Sequence, residues 1–217
     1  MLETQTLSSP ETLSDEPAAP ARKRPKPGER RVQILQALAT MLEQPGVERV
    51  TTAALAARLG VSEAALYRHF ASKAQMFEAL IDFIEQTVFG LIRQITEREP
   101  AGAAQAARLV AMLLQFAEKN PGMTRVMVGD ALVFEHERLQ QRMNQFFDKF
   151  EAALRQALRQ SLQEGAGDEV VVAPSVDVQV TASVLTAFAV GRLQRFARSG
   201  FRRMPSEQLD ACLARML

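Results

Sequence analysis

The sequence predicts an all-α protein in two parts, a small three-helix head and a larger helical body. Three observations carry this. Apolar residues recur at three- and four-residue spacing from Glu29 almost to the C-terminus, the prolines beyond that point fall between these stretches, and no segment makes a convincing strand with a partner. With 47% hydrophobic residues in 217, the chain can bury one large core or two small ones and is globular.

Residues 1–28 carry Pro10, Pro17, Pro20, Pro25 and Pro27 among Ser, Thr, Ala and acidic residues. That composition cannot form a core, so the extension is expected to be disordered. Its last part, ARKRPKPGERR, is either a basic arm that follows a phosphate backbone or a solvated linker. The first helix is expected from about Glu29 to Gln44, with Val32, Leu35, Leu38, Ala39 and Leu42 inward and Pro45-Gly46 as its stop.

The stretch TTAALAARLGVSEAALYRHFASK, Thr51 to Lys73, predicts two short helices around a glycine turn. Thr51 and Thr52 are N-cap candidates, and Leu55, Ala56 and Leu59 form an inward stripe. Gly60 adopts a left-handed turn without Cβ strain, and Val61 plugs the corner. Ser62 starts the second helix, whose inward side continues through Ala65, Leu66 and Phe70. Its outward face then consists of Ser62, Glu63, Ala64, Tyr67 and Arg68. Residues 29–72 make the head.

The body, residues 73–217, begins with a helix from Lys73 to about Arg98, whose Met76, Phe77, Leu80, Ile84, Val88, Leu91, Ile92 and Ile95 are apolar. Ser72 with Gln75 forms a capping-box pattern at its start. A helix from about Ala103 to Lys119 ends at Asn120-Pro121-Gly122, and a short one follows to Val128, stopped by Gly129. The next is long, with Leu139, Met143, Phe146, Phe150, Leu154, Leu158 and Leu162 at helical spacing. Gly165 to Pro174 is expected to be a loop; within it Glu169 to Ala173 has strand propensity but no partner strand, so it is read as extended. A helix from about Val176 to Ser199 mixes large residues with Ala182, Ser183, Ala187, Ala189 and Gly191, which allows close helix approach. This surplus apolar face, with that of the preceding helix, predicts a two-fold dimer.

Charge points to the partner of the head. From Arg22 to Lys73 there are ten basic residues against four acidic ones, whereas the whole chain is only +1. A local positive excess around a narrow polar helix face suits duplex DNA, whose major groove admits a helix. Ala64 is placed to touch a thymine methyl, with Tyr67 and Arg68 as donors at the flanks. Thr51, Thr52 and Ala53 put hydroxyls and N–H groups at a helix start, which suits phosphate. Ala65 and His69 complete the candidate surface, His69 being either a phosphate contact or a packed ring. Lys73 opposes the dipole of its own helix, which suggests an external anion. A dimer of such heads reads a palindromic site in successive major grooves.

Other classes find little support. His136-Glu137 lacks the second histidine of a metalloprotease, since Gln140 stands there; it is read as the solvated start of a helix, and no P-loop or dinucleotide fingerprint is present. No enzyme, metal or cofactor is expected. The lone Cys212 fits a reducing cytoplasm and a packing role in the last helix. The longest uncharged apolar-rich run, Val178 to Gly191, is shorter than a membrane span requires, so a cytoplasmic protein is expected.

The head motif resembles that of the TetR family of transcriptional regulators. Within that family, VSEAALYRHFASKAQMFEALIDFIE and EKNPGMTRVMVGDALVFEHERLQQRMNQFF are similar to its nucleoid-occlusion members, over about Arg30 to Leu217. That similarity implies a nucleoid-associated homodimer that loads further dimers on chromosomal sites and antagonises polymers of the tubulin-like division GTPase. It implies partner contacts at Phe83, Lys119 and Asn120, with Leu91 where those members carry a basic residue. Read without it, these residues are better taken as structural, Phe83 in the core, Lys119 as a dipole complement and Asn120 as a cap. A small-molecule effector is not expected, because no dense polar cluster is placed to orient one; the alternative is a ligand-responsive repressor.

Overall fold

A computed structural model describes residues 28–44, 49–100, 102–165 and 175–217, and every regular element among them is helical. The head consists of α1 (Glu29–Leu42), α2 (Thr52–Leu59) and α3 (Glu63–Tyr67). The body consists of α4 (Lys73–Arg98), α5 (Ala103–Lys119), α6 (Pro121–Met127), α7 (Glu137–Gly165), α8 (Ser175–Arg198) and α9 (Leu209–Leu213), with one 3₁₀ turn at Asp130–Leu132. Residues 21–27 of the basic arm, Pro45-Gly46 and the expected loop after Gly165 lie outside the described residues, as does the Glu169–Ala173 segment, while the arm's last residues, Glu29 to Arg31, begin α1.

In α1 the buried row is Ile34, Leu38 and Leu42 at four-residue spacing, with Leu35 and Ala39 packed beside it. Val32, expected inside, is 54% exposed. It precedes Ile34 by two positions, which turns it about 200° away from that row. The helix also ends two residues before the expected Gln44.

Ion pairs set the direction of the body. Arg138 pairs with Glu78 at 2.7 Å, and Arg142 reaches Asp82 at 2.9 Å and Glu85 at 2.5 Å, so α4 and α7 run alongside each other in the same sense. Burial alone lowers the pKa of Arg142, but its bonds and attraction to Asp82 and Glu85 outweigh this and raise it. Beneath these pairs lie Phe77, Leu80, Ile81, Ile84 and Val88 of α4 and Leu139, Met143, Phe146, Phe150 and Leu154 of α7, all buried. Helix α8 returns along α7, joined at its start by Gln179, which bonds Glu151 at 2.9 Å and Arg155 at 2.5 Å. Helix α5 fills the space against α4, α7 and α8.

Leu91 and Ile95, in the apolar stripe of α4, are only partly covered and line a surface cleft. Arg108, Gln115 and Lys119 of α5 line the same cleft, and Arg108 pairs with Glu99 at 3.4 Å.

Head and body meet through α6. Gly122 lies so close to α1 that a Cβ built on it would be 2.1 Å from the Ala39 carbonyl oxygen. Glycine is required there for helix approach. Arg125 continues the join, bonding the Leu42 carbonyl at 3.4 Å and Asp130 at 3.1 Å. No helix among the described residues is long and apolar enough to cross a membrane, and none of their His, Cys, Asp or Glu groups is gathered to hold a metal ion. Cys212 is half-buried and its sulfur accepts a bond from Arg192 at 3.1 Å.

Candidate nucleic-acid interface

Short helices have few internal hydrogen bonds, so their ends decide whether they form. Thr51 accepts from the Ala54 N–H at 3.1 Å and caps α2. Gly60 closes that helix with φ 64° and ψ 39°, the left-handed turn expected of it, while the Val61 N–H bonds Ala56 at 3.0 Å. Ser62 then caps α3 through the Ala65 N–H at 3.3 Å. Ser72 repeats the device at α4, and Gln75 answers by accepting from Ala71 at 2.9 Å.

Helix α3 is five residues long and buries Leu66, with Phe70 buried just beyond it. Ser62, Glu63, Ala64, Tyr67 and Arg68 are exposed, and Ala65 is half-buried at the edge of that face. Thr51 and Ala53 are exposed at the start of α2, with Thr52 half-buried between them. His69 is half-buried past the end of α3. Glu63 has a second engagement, since its carboxylate accepts from the Thr52 hydroxyl at 2.5 Å and so ties α3 to α2.

Lys73 departs from expectation. Its ammonium pairs with Glu135, ahead of α7, and the two side chains are only 17% and 8% exposed. The anion that its position called for is internal, and it joins α4 to the segment ahead of α7. A partner 62 residues away leaves no local trace in sequence.

Of the residues implied as partner contacts, Phe83 is 46% exposed on α4 rather than in the core. Lys119 is exposed in the last turn of α5, and Asn120 ends that helix by donating to the Phe116 carbonyl at 2.7 Å. Lys119 and Asn120 line a cleft of about 360 Å³ between α4 and α5. Leu91, Ile95, Met112 and Phe116 give it apolar walls, while Arg98 and Arg108 add positive charge and Glu99 one negative charge. Phe83 does not line the cleft but shares a face of α4 with Gly90 and Gln94, seven and eleven residues on. Arg98 and Arg108 were not singled out from sequence, where they are two of many charges on helical faces.

Comparisons with known proteins agree with this layout. The family model for TetR-type bacterial regulatory proteins matches residues 34–80, and the one for SlmA-like, tetracycline repressor-like C-terminal domains matches residues 103–216. Among relatives, the nucleoid occlusion factor SlmA of Idiomarina loihiensis is 47% identical over 182 residues, covering 84% of this chain and 90% of that protein. That of Shewanella pealeana is 50% identical over 182 residues, covering 83% and 89%. Similar solved structures include the fatty acid degradation regulator FadR of Bacillus halodurans, with a TM-score of 0.69 at 14% identity, covering 89% of this chain and 97% of that one. The TetR-family regulator PfmR of Thermus thermophilus has a TM-score of 0.65 at 21% identity, covering 85% and 97%. These structural matches show the fold.

Proposed function

The chain belongs to the SlmA family of nucleoid occlusion factors within the TetR regulators, and on that basis we propose that it binds palindromic chromosomal sites as a homodimer and there inhibits assembly of the tubulin-like division ring. The observation that carries the DNA half is the exposed face of α3. A capped five-residue helix displays Ser62, Ala64, Tyr67 and Arg68 while its other side is anchored by Leu66. Small residues at the leading end with longer donors behind them fit a major groove, and Thr51 and Ala53 at the start of α2 flank it as phosphate contacts. Thr52, Glu63, Ala65 and His69 belong to the same surface, Glu63 and Thr52 by holding the two helices together. Lys73, engaged with Glu135, fixes the start of α4 next to the head.

The dimer is supported by α8. Val180 and Val184 are 53% and 47% exposed, and Ala187 and Gly191 follow on the same face. A row of this kind on a body helix is a surface for a second copy. Two heads in one assembly supply the affinity that a single short helix lacks.

For the division half, the cleft between α4 and α5 suits a short extended segment with apolar and acidic side chains. Leu91, Ile95, Met112 and Phe116 take the former, and Lys119, Arg98 and Arg108 the latter. Asn120 fixes the end of α5 at the cleft, and Phe83 extends the same surface along α4. The test is sedimentation of division-GTPase polymers with the protein, with and without its DNA site. Depletion of polymer that strengthens with DNA is expected; no change in either condition removes the reading. Lys119→Glu is expected to abolish depletion and leave DNA binding intact.

A further inference from the structure

We infer that Arg31, on α1, is a positioning residue for the recognition helix and sets base-sequence specificity without touching DNA; the inference rests on the DNA-binding reading of α3. Helix α3 spans about 7.5 Å along its axis, too short to hold its own orientation. Its start is fixed by the Ser62 cap and by the Thr52–Glu63 bond. At its other end Leu66 anchors the inner side, but a residue outside α3 must hold the turn that follows.

Arg31 does. One Nη1 donates to the carbonyl oxygen of His69, in the turn directly after α3. The same guanidinium lies over the Phe70 ring, 4.0 Å from its centroid, and Phe70 is buried against the head core. A planar guanidinium satisfies both demands at once, by hydrogen bond in its plane and by stacking through its face, which an ammonium cannot do. Tyr67 and Arg68 immediately precede His69, so a shift of that carbonyl carries both outward-facing side chains with it. The contact spans 38 residues of sequence and ties α1 to the turn after α3. Both Arg31 and Arg68 are exposed, but the Arg31 guanidinium is engaged by His69 and Phe70 within the head.

The test uses the full chain with Arg31→Lys and Arg31→Met. The probes are a duplex selected by the unaltered protein from a random-sequence pool and a scrambled duplex of equal length, each titrated across a salt series, with thermal unfolding recorded in parallel. Both variants are expected to lose about tenfold in affinity for the selected duplex. Affinity for the scrambled duplex, and the slope of log affinity against log salt, are expected to stay unchanged, with Arg31→Lys no better than Arg31→Met. Equal losses on both duplexes, with a slope reduced by about 0.9 in Arg31→Met and restored in Arg31→Lys, would mean a phosphate contact and overturn the inference. Unchanged affinity, or losses on both duplexes that track a lowered unfolding midpoint, would overturn it too. An unaltered protein that selects no sequence would instead remove the DNA-binding reading itself.

Discussion

Gly122→Ala tests the join between head and body with a single methyl group. In the native packing that methyl carbon would lie 2.1 Å from the Ala39 carbonyl oxygen and 3.0 Å from the Ala39 carbonyl carbon, with Glu43 Cγ at 3.2 Å. The first two atoms are backbone, so no rotamer change relieves the overlap. Helices α1 and α6 must part by about 1.3 Å to reach ordinary contact distance. Overpacking of this kind costs about 1–3 kcal/mol, and a backbone clash belongs in the upper half of that range. For a chain of this size each kcal/mol lowers the unfolding midpoint by about 2–4 °C, so a fall of about 4–12 °C is expected. Gly90→Ala is the control. Its Cβ meets nothing within 4 Å, and in mid-helix the alanine stabilises by about 0.5–1 kcal/mol. The assay is thermal unfolding followed by circular dichroism, at one fixed protein concentration so that any dimer contributes equally. A Gly122→Ala midpoint at or above that of the unaltered chain would refute the reasoning, since α1 would then have room that the geometry denies it.

Three further substitutions address the head, the Lys73–Glu135 pair and the dimer. Thr51→Ala removes the cap bond to Ala54, with an expected loss of about 1 kcal/mol in stability and weaker DNA binding; an affinity unchanged across a salt series excludes Thr51 from the interface. Lys73→Met leaves the Glu135 carboxylate buried without its cation and is expected to cost about 3–5 kcal/mol, most of it recovered in Lys73→Met/Glu135→Gln; urea unfolding checks the pair, and a double variant as unstable as the single one contradicts it. Val184→Asp places a charge on the exposed row of α8 and is expected to weaken the dimer by about 2 kcal/mol, roughly 30-fold, with the helical content kept; sedimentation velocity showing an unchanged dimer moves the interface elsewhere.

What sequence shows of this protein follows the range of the interactions. Caps, glycine turns and the stripes of α2, α4 and α7 are local, so Thr51, Gly60, Ser62 and Ser72 occupy the roles their residue types prescribe. The face of α3 was legible for the same reason. Val32 shows the limit of periodicity, since Leu35, Leu38 and Leu42 also fit a stripe that includes it, and only the contacts of Ile34 settle which way α1 turns. Lys73 shows the limit of charge. A helix-starting cation asks for an anion, but whether DNA or Glu135 answers depends on where α7 begins in space. Leu91 and Ile95 show that apolar spacing does not tell core from cleft, because an apolar stripe wider than its covering helix leaves an edge, and the edge of α4 is the wall of the cleft. Arg31 was counted as one charge among ten; its role depends on a carbonyl 38 residues away, for which no spacing rule exists.

Three attachments hold each head to its body: the packing of the 26-residue α4 on α1, the Arg125 bond to the Leu42 carbonyl, and the close seat of Gly122 on α1. A hinge requires a segment that absorbs backbone rotation, and none of these is one. In the proposed dimer the spacing of the two recognition helices is then set by the α8 face, far along each body from the DNA. One helical turn of duplex, about 34–36 Å, separates matched half-sites. Inserting a single base pair between them displaces one half-site by about 3.4 Å along the axis and rotates it by about 35° around it. Rigid heads cannot follow both changes, so affinity for the lengthened site is expected to fall to that for scrambled duplex in a direct titration. Retained affinity would show that the heads swing independently, and the three attachments would then have to yield at a cost smaller than the contacts they regain.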